Sequence, residues 1–175
     1  MNIDISRAIQ PVEKELAGYV FYIRPFAAFV SSNVFTDILS IISPLAMSLL
    51  PALFDEDGDG EEKSLLDMDL EKAAPFVIKA FSSISSEKMD KTLKALLIRE
   101  RNIHFAEVGG QENDVALLDY DTANAMFVGD LADMYLLAFE VIRINYGNFF
   151  ERLSNRSGSP GGLLRNLANM TNMAG

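Results

Sequence analysis

One run constrains this chain's fold more than any other: "FVGDLADMYLLAFEVIRINYGNFFERL", residues 127–153, which contains no proline. Within it Leu131, Tyr135, Ala138, Ile142, Tyr146, Phe149 and Leu153 recur at spacings of three and four, the signature of one apolar helical stripe. Phe127, Met134, Leu137, Val141 and Ile144 form a second stripe beside the first. The polar remainder (Asp133, Glu140, Arg143) is narrow. Asp130 supplies an N-cap, and Asp133 places negative charge in the first turn, where the helix dipole favours it. A helix this apolar is either the central helix of its domain or is shared between its own core and a partner chain. Gly147 costs about 1 kcal/mol inside a helix, so a bend is expected just before the "NFF" cluster.

The other elements are arranged around this helix. Residues 1–17 read as a polar lead-in with some helical character. "GYVFYIRPF", Gly18 to Phe26, is rich in aromatic and β-branched residues and reads as a strand ended by Pro25. "AAFVSS" reads as a connector, and Asn33 as the cap of a helix carrying Val34, Phe35, Ile38, Leu39, Ile41 and Ile42. Pro44 cannot continue that helix without losing a hydrogen bond, so a second helix or a kink is expected from Ser43-Pro44 to about Phe54. A helix from Asp69 tolerates Pro75 only near its start. Ser86 then caps a helix with Met89, Leu93, Leu96 and Leu97 on one face. "NIHFAEV", "GGQEND" and "VALLDY" read as a hairpin, and with residues 18–25 it completes a sheet of three strands. "DTANAMFV" is a short helix stopped near Gly129. After Leu153, "SNRSGSPGG" is linker-like. The expected fold is α+β, predominantly α-helical, with a small three-stranded antiparallel sheet. A single domain spans residues 1–153, and a flexible tail spans 154–175.

Composition excludes several kinds of chemistry. There is no cysteine, hence no disulfide, thiol catalysis or Cys-based zinc site. His104 is the only histidine, and it lies in a strand-like run. No Gly-rich phosphate loop follows a strand, and no base-nucleophile pair can be proposed, so the chain is read as no enzyme and as needing no cofactor. The net charge is −10. Residues 55–71 hold nine acids and one Lys, which leaves the remainder of the chain nearly neutral. Without a broad cationic surface, nucleic-acid binding is disfavoured. Lys88, Lys91, Lys94, Arg99 and Arg101 form one basic cluster, either a solvated face or a contact for an acidic partner or the chain's own acidic loop.

Two segments suggest other functions. In "LFDEDGDGEEKSLLD" the residues Asp55, Asp57, Asp59 and Gly60 fall on positions 1, 3, 5 and 6 of an EF-hand loop. Position 12, which needs a bidentate acid, is Leu66, and position 8 is the charged Glu62. The stretch 55–68 therefore reads as a solvated acidic loop rather than a metal site, with a calcium-responsive loop at 55–66 as the alternative. Residues 38–54 carry no charge, but they include Pro44, Pro51 and three serines and fall short of a bilayer-spanning length. They read as buried helices, with membrane insertion as the alternative. The N-terminus shows no signal-peptide pattern.

The order of motifs is informative. "YIRPF" (Tyr22 to Phe26), the Pro-containing apolar helices, the acidic insert and the hairpin are followed by the closing pattern of Phe127, Gly129, Asp130, Phe139 to Val141, Asn145, Tyr146, Phe149 and Phe150. Over roughly residues 18–153 this order resembles the tail assembly chaperones of tailed bacteriophages and prophages. The resemblance implies a non-catalytic protein of the bacterial host cytoplasm that is not retained in the mature virion. It implies binding and solubilising the tape measure protein and helping to recruit tail tube subunits. Many such proteins are also made in a longer frameshifted form, a property of the message rather than of the chain. Self-association remains open. The expected partner-binding residues are Met134, Leu137, Val141, Ile144, Tyr146, Phe149 and Phe150, in a groove shared with the Ile38–Leu50 helices.

Overall fold

The computed structural model describes residues 10–38, 70–82, 84–110 and 114–157. Strand β1 (Val12–Leu16) and strand β2 (Tyr19–Ile23) form an antiparallel hairpin with Leu16 opposite Tyr19. The loop therefore has two residues, Ala17 and Gly18, both at positive φ (55° and 80°). That is the backbone of a type I′ turn, whose twist matches the right-handed twist of paired strands. Strand β3 (Ile103–Glu107) pairs antiparallel with β2, Phe21 opposite Phe105, and the two-residue strand β4 (Ala116–Leu117) pairs with β3.

The sheet thus has four strands in the order β1-β2-β3-β4, and the expectation of three strands is corrected. The missed strand is β1. Its "VEKEL" suits a helix by local propensity, but the Ala17-Gly18 turn folds it back onto β2. Glu13, Lys14 and Glu15 put charge on an outer strand of the sheet, which discourages pairing with another chain.

Helix α1 covers residues 28–38. It starts before Asn33, so the stretch expected to connect is already helical and Asn33 lies inside the helix on an exposed face. Helix α2 (Leu70–Ser82) carries Pro75 at its sixth residue, further in than expected. Helix α3 (Ser86–Leu93) passes directly into a π-helical turn, Lys94–Ile98, closed by the Arg99 amide donating to the Lys94 carbonyl at 2.8 Å. The wider turn lets Ala95, Leu96 and Leu97 all face inward, which an α-helix with a single buried stripe does not allow. Ser85 stands at the N-cap position of α3 in place of Ser86, and its side chain makes no capping bond.

Helix α4 (Tyr120–Met126) opens with a capping box: the Thr122 amide donates to Asp119 Oδ1 (2.9 Å) and the Asp119 amide donates to Thr122 Oγ1 (2.8 Å). Gly129 at φ 84° turns the chain into helix α5 (Leu131–Ser157), whose first turn is capped by Asp130 Oδ1 accepting from the Asp133 amide. Helix α5 passes Gly147 without interruption.

The core lies between α5 and one face of the sheet. Phe21, Ile23 and Ile103 from the sheet are fully buried, as are Leu137, Ala138 and Val141 from α5 and Leu96 and Leu97 from the π-turn. Phe81 of α2 stacks on Tyr135 of α5 with ring centroids 5.2 Å apart. Each such buried aliphatic or aromatic side chain contributes about 1.5–3 kcal/mol relative to exposure, and α5 supplies a large share of the core. Residues 39–69, which hold most of the 38–54 apolar run and the whole 55–68 acidic loop, lie outside the described residues, as do residues 158–175.

Candidate functional site

A buried carboxylate sits midway along α5. Glu140 is 1% exposed, and Arg143 one turn on donates from Nη2 to its Oε2 at 2.7 Å. Lys14 Nζ, from β1, lies 3.5 Å from the same oxygen. The narrow polar side of the helix is therefore turned inward against the hairpin rather than toward water. A buried charge of this kind is tolerated only because two cations and a hydrogen bond accompany it.

One turn further, Asn145 and Tyr146 hold a second joint. Asn145 Oδ1 accepts from the Phe26 amide at 2.7 Å while its Nδ2 donates to the Val141 carbonyl at 2.8 Å. The Tyr146 hydroxyl donates to the Ser31 carbonyl at 2.8 Å. Phe35 of α1 then packs between Tyr146 (centroids 5.1 Å apart) and Phe149 (4.9 Å, edge to face). The "YIRPF" segment and the Asn-aromatic pair, far apart in sequence, thus meet directly. Tyr22 is on the sheet and Phe26 at the turn into α1, both placed by β2.

The expected partner-binding residues divide according to this packing. Leu137 and Val141 are 0% exposed and Tyr146 is 4% exposed, so all three are committed to the interior. Met134 and Ile144 are half-buried and pack against the core. Phe149 is 42% exposed and closes the aromatic joint at the surface. Phe150 lies in the same helix, its side chain outside the described set. The structure brings Tyr146 and Phe149 together through Phe35, and separates both from Met134 by more than about three turns of helix. The proposed wall from Ile38–Leu50 falls, past Ile38, outside the described residues.

Other apolar side chains also stand at the surface. Phe29 on α1 is 88% exposed, and Val128 and Leu131 flank the Gly129 corner in the open, although Leu131 is expected to begin the first apolar stripe. Single hydrophobic side chains on the surface have no sequence signal, because the helical period identifies the buried face and not what covers the other. The basic cluster is partly used within the chain. Lys91 bridges to Asp37 at 2.7 Å, and Lys94 bridges to Asp90 while lying over the Tyr120 ring. Among the described residues no three His, Asp or Glu side chains converge on a metal site, and no helix is long and apolar enough to cross a membrane. His104 stands on β3 opposite Tyr22, half-buried.

The arrangement is a scaffold of interlocked elements with apolar side chains left at its surface. It matches the family model of the phage tail assembly chaperone protein, TAC, over residues 17–159, and the chain belongs to that family. Its role is that of a tail assembly chaperone. Neither a curated protein nor a solved structure matches it significantly.

Proposed function

We propose that this chaperone binds the phage tape measure protein in the host cytoplasm, keeps it soluble until the tail tube covers it, and helps to recruit tube subunits. In this reading it catalyses no reaction and is not retained in the finished particle. Family membership across residues 17–159 is the observation that carries the proposal. The physical logic is that of a temporary coat: a long helical client exposes apolar stripes that aggregate in water, and many copies of a folded acidic protein cover them. The net charge of −10 keeps the coated assembly soluble by self-repulsion.

The buried state of Leu137, Val141 and Tyr146 moves the proposed contact away from the middle of α5. It centres instead on Phe149, at the surface end of the Phe35–Tyr146–Phe149 joint, with the half-buried Ile144 and with Phe150 as flanking candidates and the half-buried Met134 more distant along the helix. The test is co-expression of the tape measure protein with and without this chain. A soluble client that co-purifies with the chaperone supports the proposal. A client equally insoluble in both cases, with a folded chaperone present, sinks it.

A further inference from the structure

The sheet has a second face that the core does not use. Strand register assigns the faces: Leu16, Tyr19, Phe21, Ile23, Ile103 and Phe105 look toward α5, and Lys14, on the same side, reaches Glu140 of that helix. The alternate positions are Val20 and Tyr22 on β2, His104 and Ala106 on β3, Leu117 on β4, and Glu13 and Glu15 on β1. Val20, Tyr22, His104 and Leu117 are half-buried and Ala106 is buried, although none of them belongs to the core cluster that packs on α5. An antiparallel sheet with one solvated face ordinarily alternates apolar inward with polar outward. The two central strands here break that rule, since their outward positions are Val, Tyr, His and Ala. The acids are confined to β1, where Glu13 and Glu15 are exposed along one border.

We propose that this outer face is a second docking surface, taking an amphipathic helical segment of another protein with an apolar ridge and a row of Lys or Arg along one side. The ridge lies over the half-buried Val20, Tyr22 and Leu117, and the cations meet Glu13 and Glu15. A five-residue strand is about 17 Å long, which a helix of about three turns spans. Charge disfavours two other occupants. A second copy would bring the same glutamate pair, on a chain of net charge −10, against this border. The chain's own 55–69 segment is itself strongly acidic and repels it as well.

The experiment uses the full-length chain, isotopically labelled, and two synthetic amphipathic helices of about 18 residues, one of Leu and Lys and one of Leu and Glu. The Leu/Lys helix is expected to shift the signals of Val20, Tyr22, His104 and Ala106, and the Leu/Glu helix to leave them unmoved. The double variant Glu13→Lys/Glu15→Lys is expected to bind the Leu/Lys helix about tenfold more weakly with unchanged thermal stability. Glu71→Lys/Glu87→Lys, which alters net charge equally at exposed sites elsewhere, is expected to change binding far less.

Three results overturn the proposal: shifts confined to other residues, equal loss of binding in both double variants, or no effect of Glu13→Lys/Glu15→Lys. Two others overturn it in favour of another occupant. Concentration-dependent shifts of the same signals without peptide indicate a second copy, and shifts on removing residues 1–9 indicate the chain's own N-terminus. The readout does not involve the tape measure protein, so it stands or falls separately from the client proposed above.

Discussion

The Tyr146 hydroxyl donates to the Ser31 carbonyl at 2.8 Å, tying the second half of α5 to α1 across 115 residues of sequence. With the bond from the Phe26 amide to Asn145, it makes the Asn145-Tyr146 pair a fastener between the ends of the domain. Two of the segments on which the resemblance rests therefore serve the fold directly.

Tyr146→Phe removes that bond and leaves the Ser31 carbonyl without this donor. It is expected to cost about 1 kcal/mol, a drop of about 2–4 °C in Tm for a chain of this size, read by thermal denaturation. The pH dependence has a definite sign. Burial pushes the Tyr146 phenol above its ordinary value of 10.0. The folded state thus holds the proton more tightly than the unfolded state. Its contribution is complete below pH about 10 and is lost as the pH climbs through the raised folded value. The Tyr146→Phe variant should accordingly lose stability less steeply than the parent on the alkaline side.

At Ala17 the hairpin turn puts a β-carbon at φ 55°, in the left-handed region that L-residues avoid. Asn is the preferred residue at the first central position of a type I′ turn. Ala17→Asn is expected to stabilise the protein by about 0.5–1 kcal/mol, seen as a higher midpoint in urea with an unchanged slope. A loss of stability would show that the turn is of another type.

The same hairpin shows where the sequence was readable and where it was not. The 3.6-residue period announced α5, and Asp130 and Gly129 announced its start, because caps and apolar stripes are local signals. Strand β1 was hidden, because "VEKEL" alternates weakly and its only strong cue is a turn whose first residue is Ala rather than Asn or Asp. The two stripes of α5 identified buried side chains without separating those facing the core from those facing a partner. Leu137 and Phe149 look alike in sequence, and only the position of Phe35 and the sheet distinguishes them. Glu140 was misleading for the same reason, since a charge between two stripes reads as solvent-facing until β1 is placed against it.

Glu140 offers a further test. Glu140→Ala removes the buried carboxylate that both Arg143 and Lys14 meet, and the expected loss is about 3 kcal/mol. Lys14→Met leaves the closer Arg143 contact intact and removes a partner that is itself about a third exposed, so its expected loss is under about 1 kcal/mol. Equal losses in the two variants, measured by chemical denaturation, would mean that the hairpin and not Arg143 is the main counter-charge.

The Asp119–Thr122 capping box gives an acid-side counterpart. Hydrogen bonds from Thr122 hold the Asp119 carboxyl below its ordinary 3.8. A carboxylate lowered in the folded state contributes above its unfolded value, and that contribution fades as pH falls through the folded one. Asp119→Ala should thus lower Tm at neutral pH by an amount that shrinks in acid. A difference independent of pH would assign the effect to helix propensity instead of the cap.

The two residues that best separate folding from client binding are Val141 and Phe149, which share one helix. Val141 is fully enclosed within the apolar core cluster, so a carboxylate there loses its hydration. Val141→Asp is therefore expected to destabilise by more than about 3 kcal/mol and to lose the client only because the chaperone no longer folds. Phe149 is nearly half exposed and meets Phe35 edge to face. Phe149→Asp is expected to cost about 1–2 kcal/mol and to leave the sheet and the core of α5 folded. If Phe149 lies at the client contact, that folded variant no longer co-purifies with the tape measure protein, while Phe149→Leu retains it. A folded Phe149→Asp variant that carries the client as well as the parent does would move the contact off this end of α5.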